Sequence, residues 1–230
     1  ILMIRKKKVL IVAAHPDDEL IGCGGTIIKH KKNKDTIKVL FTFLGEDLRE
    51  DKSNIDNREK KRAMDAIAVS KQMGIDKPFF LSSTKEKDIR ISQSKINSNL
   101  LSVIKSFDPE IIYTHSINDI HLDHRMTFEA VHVATRPQNN LKSLKKIYSF
   151  EINSASENYF VRSKRFEPNH YVNIEKEIEK KISLLKIYKK EMLKYPHSRS
   201  LKGIKNLAAY RGNTVSLNFA EAFEIIRTIK

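Results

Sequence analysis

The sequence predicts an α/β protein with a Rossmann-like, three-layer fold and a mostly parallel sheet. Two observations predict this class. Apolar strand-like runs alternate with helix-like segments over the first part of the chain, which is typical of a sheet covered by helices. Histidines and carboxylates also cluster directly after two of those runs, and ligands of such sheets bind beyond the carboxyl ends of the strands. At 230 residues the chain is long enough for one core, so we expect a single domain spanning residues 1–230.

The first elements form a strand, a helix and a strand. An apolar run at residues 8–14 predicts a buried strand, and the glycines at 22–25 lead into a helix. A second strand is predicted at residues 36–44. This order implies parallel pairing through a right-handed crossover. The N-terminal segment is therefore expected to be the first strand and not a signal peptide, since its apolar run is short and ends in charged residues.

Later elements follow the same logic. Helices are predicted at 58–73, ending at Gly74, and at 96–107, ending at Asp108. Short strands are predicted at 79–81 and 111–114, and a further helix carries His124 in its first turn. Beyond these elements the pattern predicts strands at 147–152 and 171–174 and an amphipathic helix at 175–193.

The composition limits the partners. The formal net charge is +15, which could attract nucleic acid, anionic lipid or a phosphorylated small molecule. The lysines are spread along the chain, and no basic motif interleaved with aromatic residues is present, so no specific nucleic-acid partner is expected. No apolar run is long enough to span a membrane. The single cysteine, Cys23, excludes an internal disulfide and indicates a cytoplasmic protein; between two glycines it is expected to pack at a strand-to-helix junction.

The residues that carry chemistry lie in two clusters. The first is His15-Pro16-Asp17-Asp18-Glu19, directly after the first strand, and the second is His121-Leu122-Asp123-His124, after the strand at 111–114. Two histidines, one carboxylate and a water form the ligand set of a catalytic zinc. We expect His15, Asp18 and His124 to bind Zn²⁺ at the carboxyl ends of the strands.

The remaining groups of the two clusters have expected catalytic roles. Asp17 points elsewhere from the same turn and is free to act as a general base. His121 is placed to donate a proton or a hydrogen bond to an oxyanion, and Asp123 is expected to orient the neighbouring ligand His124. His115 is a competitor for a metal role.

Two other classes of protein use some of these features. Two histidines and one carboxylate also form the facial triad of non-haem iron enzymes, although the alternation of helices and strands and the extra Asp17 argue against it. A polyanion-binding module would explain the charge of +15 but would leave the ligand set without a purpose.

The two motifs resemble those of the PIG-L, or LmbE-like, family of zinc-dependent de-N-acetylases, which act on N-acetylglucosamine conjugates. The resemblance implies zinc held by His15, Asp18 and His124, Asp17 as the base, and His121 assisting the tetrahedral intermediate. By the same similarity, Arg58 and Asp88 match positions that grip the sugar. The sequence departs from the family at Leu122, where relatives usually have proline.

The function implied by the resemblance is hydrolysis of the N-acetyl group of a GlcNAc-type amino-sugar conjugate, which releases acetate and a free amine. The basic surface favours an anionic small-molecule conjugate. The polar segment at 195–200 could close over this substrate, and His197 is its candidate contact. Relatives often assemble, so the resemblance allows a homo-oligomer, although the sequence itself does not give the oligomeric state.

Overall fold

The computed structural model describes residues 5–45, 55–81, 92–159 and 165–229. Its strands are β1 (Lys8–Ala13), β2 (Thr36–Phe41), β3 (Phe79–Phe80), β4 (Ile111–His115), β5 (Lys146–Phe150), β6 (His170–Asn173) and β7 (Ala220–Thr228). Its α-helices are α1 (Asp18–Lys32), α2 (Ile55–Met73), α3 (Gln93–Phe107), α4 (Leu122–Ala134), α5 (Ile178–Leu185) and α6 (Leu201–Asn213). Short 3₁₀ turns lie at Pro137–Asn139, Ser156–Asn158 and Lys186–Tyr188.

The strands form one sheet of seven in the order β3-β2-β1-β4-β5-β7-β6. The pairs from β3 to β5 are parallel, whereas β7 runs antiparallel to both β5 and β6. The order of the strands reverses between β1 and β4, which pair through Val9 and Ile111. This arrangement confirms the predicted Rossmann-like fold with a mostly parallel sheet, and it creates the switch point at which ligands of such folds bind.

Both faces of the sheet are covered. On β1, Val9 and Ile11 contribute to a cluster with apolar residues of α1, α2 and α5, while Leu10 and Val12 pack with α3 and α4. A strand buried on both faces reads as a continuous apolar run, as residues 8–14 do. The sheet is thus the middle of three layers, and the ends of β1 and β4 are held rigidly from both sides.

Helix α1 carries the first motif at its N-terminus and is interrupted at Cys23, whose φ is −145°. A Cβ on Gly22 would overlap the ring of Phe150, so the helix packs directly on the sheet at this glycine. Cys23 is buried, and its thiol donates to the Glu19 carbonyl at 3.4 Å. This packing confirms the expectation for Cys23, which belongs to no group of potential metal ligands found among the described residues.

The C-terminal part differs most from the sequence prediction. The helix predicted at 175–193 ends at Leu185 and continues as the 3₁₀ turn Lys186–Tyr188, because Tyr188 turns inward and its hydroxyl donates to Glu19 at 2.8 Å. Helix α6 and strand β7 were not predicted. In the part of the chain that the structure describes, no helix is both long enough and apolar enough to cross a lipid bilayer.

Candidate metal centre

The two motifs meet at the switch point of the sheet. The first follows β1 and runs into α1, which begins at Asp18; the second follows β4 and runs into α4, which begins at Leu122. Since β1 and β4 are hydrogen-bonded neighbours, their carboxyl ends bring His15, Asp18 and His124 together. All three side chains are buried, with exposures of 5%, 0% and 1%.

The geometry of these three residues suits a tetrahedral metal ion. Asp18 Oδ2 lies 3.3 Å from His15 Nδ1 and 3.3 Å from His124 Nε2, and the three donor atoms all lie within 4.8 Å of one another. Two ligand atoms at zinc distances of about 2.0–2.1 Å in a tetrahedral arrangement are separated by about 3.3 Å. The donor set of two imidazoles and one carboxylate therefore fits zinc in both chemistry and spacing.

Each histidine has a second carboxylate at the ring nitrogen that does not face Asp18. The Asp123 Oδ2 atom lies 2.9 Å from His15 Nε2, and Asp119 Oδ2 makes an ion-pair contact of 3.0 Å with His124 Nδ1, although the atoms are not aligned as a hydrogen bond. Metal-binding histidines usually present their other ring nitrogen to a carboxylate in this way, which fixes the tautomer and the ring. The two nitrogens that face Asp18 are thus the ones left to bind an ion.

The expected orienting role of Asp123 needs correction. We expected it to orient His124, its neighbour in sequence, but the structure places it against His15, and Asp119 faces His124 instead. The physical reason lies just before α4. Asp119 is fully buried, and its oxygens accept from the His121 N–H at 2.8 Å and from the Ser156 hydroxyl at 2.8 Å. These two hydrogen bonds hold the Asp119 carboxylate against His124. Sequence reasoning passed over Asp119, and only its position shortly before the second motif could have indicated it.

The charged groups of this cluster shift one another's pKa values. Burial opposes charge on both histidines, but the contacts with carboxylates prevail: they raise the pKa of His15, chiefly through Asp123 and Asp18, and raise that of His124 to about 10, chiefly through Asp18. Burial also works against ionised Asp18, yet His124 and His15 hold its pKa well below the usual range. The cluster is therefore a set of opposite charges held out of water.

His121 belongs to a second, overlapping group with His15 and Asp123. Its side chain is 32% exposed, and its Nδ1 accepts the Asp123 backbone N–H at 3.2 Å. Burial, followed by the nearby rings of His15 and His124, lowers the pKa of His121 to about 4. With Nδ1 accepting, a neutral ring carries its proton on Nε2. His121 is thus a hydrogen-bond donor at the edge of the site, and the fully buried group is the better metal centre.

His115, which was expected to compete for a metal-binding role, is the last residue of β4 and makes other contacts. Its Nε2 accepts the Ala14 N–H at 2.8 Å and lies 3.6 Å from Asp18 Oδ2, while its ring stacks on that of His124 with centroids 4.1 Å apart. Burial holds its pKa well below the usual value. Because the nitrogen nearest the site already accepts a backbone hydrogen, His115 supports the turn after β1 and His124.

Asp17 lies beside the metal centre in an unusual backbone conformation, with φ at +112°. Its N–H is held by Glu19 Oε2 at 2.9 Å, and its carboxylate is fully buried. One oxygen, Oδ2, accepts from Arg199 Nη2 at 2.6 Å, whereas Oδ1 has no hydrogen-bond partner among the described residues. Burial raises the pKa of Asp17, and Arg199 opposes this shift.

The structure describes two of the three expected substrate contacts. Arg58 is half-buried in α2, Asp88 falls in the segment 82–91, outside the described residues, and His197 is exposed with its Nδ1 accepting the Arg199 N–H at 3.0 Å. Sequence reasoning missed two arginines that do reach the site. Arg199 contacts Asp17, and buried Arg62 donates to the Leu44 carbonyl at 2.7 Å, tying α2 to the segment after β2.

The fold and the site together define an α/β protein with a candidate His/Asp/His metal centre at the switch point of its sheet. The chain belongs to the PIG-L family, whose sequence profile, described as GlcNAc-PI de-N-acetylase, matches residues 10–135. The matched segment contains all three residues of the buried metal group and Asp17.

Solved structures with the same fold include enzymes of two kinds. An N,N'-diacetylchitobiose deacetylase from Pyrococcus horikoshii is 19% identical, with a TM-score of 0.75 over 96% of this chain and 84% of that one. A zinc-inhibited teicoplanin deacetylase is 14% identical, with a TM-score of 0.73 over 96% and 98% of the two chains. The 4-carboxy-2-hydroxymuconate hydratase from Pseudomonas putida is 18% identical, with a TM-score of 0.75 over 97% and 98%. At these identities the similarity shows a shared fold.

Proposed function

We propose that the protein is a zinc-dependent hydrolase that removes the N-acetyl group from a GlcNAc-type amino-sugar conjugate and releases acetate and a free amine. One observation carries the proposal: Asp18 lies 3.3 Å from both His15 and His124, each backed by a further carboxylate, and Asp17 with an unpartnered oxygen stands beside them. Membership of the PIG-L family and the deacetylases among the structural neighbours support the same reaction.

The residues proposed to hold the zinc are His15 through Nδ1, His124 through Nε2 and Asp18 through Oδ2. Asp18 Oδ1, which is buried and has no hydrogen-bond partner in the described part of the chain, is a further oxygen available at the same place. When bound, zinc supplies a Lewis acid for the acyl oxygen and increases the acidity of the attacking water. The role of the chain is to fix the three donors and to exclude bulk solvent from them.

Asp17 is proposed as the general base. Its unpartnered Oδ1 takes a proton from the water as the water oxygen bonds to the acetamide carbon. When the carbon–nitrogen bond of the resulting tetrahedral species breaks, the same carboxyl returns the proton to the leaving amine. The immediate products are acetic acid and a neutral amine, which together contain all the atoms of the amide and the water. Acetic acid then gives its proton to the amine or to solvent and becomes acetate, so atoms and charge balance without a further reactant.

His121 is proposed to stabilise the oxyanion. Its Nδ1 accepts the Asp123 N–H, so the proton of the neutral ring lies on Nε2, which can donate to the developing negative charge. This tautomer supports a role as hydrogen-bond donor. Asp123, which contacts His15 at 2.9 Å, acts through that ligand and not on the substrate.

Three residues are proposed to contact the substrate. Arg58 and Asp88, by similarity to the family, and His197, by its place in the segment at 195–200, are proposed to contact the sugar or its aglycone. The charge of +15 supports an anionic small-molecule conjugate. A cytoplasmic location and a homo-oligomer stay predictions.

The test is acetate release from a panel of N-acetylglucosamine conjugates, neutral and phosphorylated, with the free amine measured in the same samples. We expect acetate and amine to appear in equal amounts with the zinc-loaded protein and to be lost with Asp17→Asn, which should still bind zinc. Because this fold also supports a hydratase, a substrate that gains water but releases neither product would count against the deacetylase. Zinc-loaded wild-type protein that releases no acetate from any conjugate would refute it.

A further inference from the structure

The two oxygens of Asp17 are in different environments. Arg199 Nη2 donates to Oδ2 at 2.6 Å across a separation of 182 residues, while Oδ1 is buried without a partner among the described residues. Arg199 Nη2 also lies 3.9 Å from Asp18 Oδ1. One guanidinium thus faces both neighbouring carboxylates but hydrogen-bonds only one of their four oxygens.

The backbone around Arg199 is fixed from several sides. The Arg199 carbonyl accepts the Leu193 N–H at 3.2 Å, and the Ser198 carbonyl accepts from Asn153 Nδ2 at 3.2 Å. Ser200 caps α6, its hydroxyl accepting the Gly203 N–H at 3.0 Å. A Cβ on Gly203 would overlap the Ser198 carbonyl oxygen, so the helix start packs tightly on this segment. The arginine therefore projects from a held backbone, with a side chain that is only 20% exposed.

We propose that Arg199 is a positioning residue that selects which oxygen of Asp17 receives the proton of the water. By donating to Oδ2, it restrains rotation of the carboxylate and leaves Oδ1 as the Asp17 oxygen that no group among the described residues donates to. This inference rests on the proposed function, because it concerns the base of that reaction. The inference goes beyond the proposed function because it assigns a positioning role to Arg199, which lies in the C-terminal third of the chain, outside the segment that the family profile matches.

A guanidinium suits this task for two reasons. Asp17 and Asp18 are adjacent carboxylates that are both fully buried, and two like charges in such a place repel unless a cation stands beside them. Arginine stays charged under all conditions of interest, and its planar group orients a carboxylate better than an ammonium does. Neutralisation and orientation of Asp17 thus come from the same hydrogen bond.

The experiment uses Arg199→Ala in the full chain, loaded with zinc, with acetate release as the assay. We expect kcat to fall about 10²-fold, the loss typical of a misplaced catalytic group, while KM changes less than threefold. Millimolar guanidinium should restore much of the kcat, and ammonium at the same concentration should not. Zinc content, and the visible absorption spectrum of the cobalt-substituted protein, should match the wild type because the metal ligands are untouched.

The matched control is Arg211→Ala. Arg211 makes an equally short pair with Glu151, at 2.6 Å to each oxygen, and its side-chain hydrogen bonds among the described residues go to Glu151 and not to the metal cluster. Arg211→Ala should lower the free energy of unfolding but leave kcat unchanged, so that added guanidinium has no effect on kcat. If Arg199→Ala does not fold, Arg199→Gln and Arg199→Lys take its place, and the lysine variant should retain more kcat than the glutamine variant.

The outcomes separate this inference from the proposed function. Wild-type kcat in a folded Arg199→Ala protein, a large rise in KM with unchanged kcat, or altered zinc content would overturn the positioning role while the deacetylase stands. Equal kcat in the lysine and glutamine variants would also overturn it. Wild-type protein that releases no acetate would remove the proposed function and this inference with it.

Discussion

Asp119 Oδ2 lies 3.0 Å from His124 Nδ1, the ring nitrogen that does not face Asp18. The carboxylate is fully buried and anchored by the His121 N–H and the Ser156 hydroxyl. Together with the contact between Asp123 and His15, it gives both histidines of the proposed zinc site a carboxylate partner. The two rings are thereby held with the correct nitrogen towards the ion.

The first prediction follows from this pairing. Asp119→Asn should weaken zinc binding about 10- to 100-fold, the usual loss when a partner of a histidine ligand is removed. Competition with a chromophoric chelator measures the affinity. Asp123→Asn should weaken it by a similar factor through His15, and Asp65→Asn, which alters a pair with Lys61 within α2, should leave it unchanged. Zinc affinity unaltered by Asp119→Asn would show that this carboxylate does not orient a ligand.

The second prediction concerns pH. Without a bound metal, the contact with Asp18 raises the pKa of His124 to about 10, so its ring is charged at neutral pH, and the contacts with Asp123 and Asp18 raise the pKa of His15 above its ordinary 6.5. Because both pKa values are raised, protonation of the two rings stabilises the metal-free fold fully below pH 6.5, and that contribution is lost as the pH rises through each raised pKa. Zinc must displace the protons, so its affinity should increase with pH over the same interval. Calorimetry at pH 7 in buffers of different ionisation enthalpy should detect proton release, and heats independent of the buffer would contradict the account.

Much of the fold, and the grouping of His15, Asp18 and His124, could be predicted from the sequence because both follow from local patterns at the ends of strands. The buried strand β1 is a continuous apolar run, and its motif places His15, Asp17 and Asp18 within four positions. Strand β7 could not be predicted in this way. Its buried Glu221 interrupts the apolar pattern and is stabilised by groups on α1 and α5, far away in the sequence.

The contacts around the site also depend on residues that are far apart in the sequence. The sequence offered Asp123 as the partner of His124 and did not indicate Asp119, because which carboxylate faces which ring depends on how α4 begins. Arg199 reaches Asp17 only after the chain has returned from the far end of the sheet. Pairings of this kind have no local spacing that a sequence pattern could show.

The third prediction tests the buried pair of Lys181 and Glu221, 2.7 Å apart beneath the interruption in α1. Glu221 also accepts the backbone N–H groups of Gly25 and Thr26 at 2.7 Å each. Glu221→Ala leaves a buried ammonium and these donors without the carboxylate, so unfolding in urea should show a loss of about 3–5 kcal/mol. Glu179→Ala, which breaks an exposed pair with Lys205, should cost about 0–1 kcal/mol. Equal losses in the two variants would contradict this account of α1.

The fourth prediction uses a pair of glycines with similar backbones. Gly45 has φ of +79° and Gly74 has φ of +67°, so alanine at either should cost about 1–2 kcal/mol in strain. A Cβ at Gly45 would also overlap the Arg62 guanidinium and lie 2.6 Å from His15 Cδ2, whereas at Gly74 the nearest contact is Lys31 Cε at 3.4 Å. Gly45→Ala should therefore weaken zinc binding and Gly74→Ala should not. Thermal unfolding and chelator competition on both variants would separate strain from displacement of His15, and equal zinc affinities would refute the expected displacement.

The most direct test of the central claim is a titration of metal-stripped protein with zinc, with acetate release from an N-acetylglucosamine conjugate followed at each step. If His15, Asp18 and His124 form one catalytic site, the rate should rise from zero in the stripped protein and reach a maximum at one zinc per chain, and His124→Ala should abolish the rise. Acetate release that is unaffected by stripping, or that persists in His124→Ala, would contradict a metal-dependent deacetylase at this site.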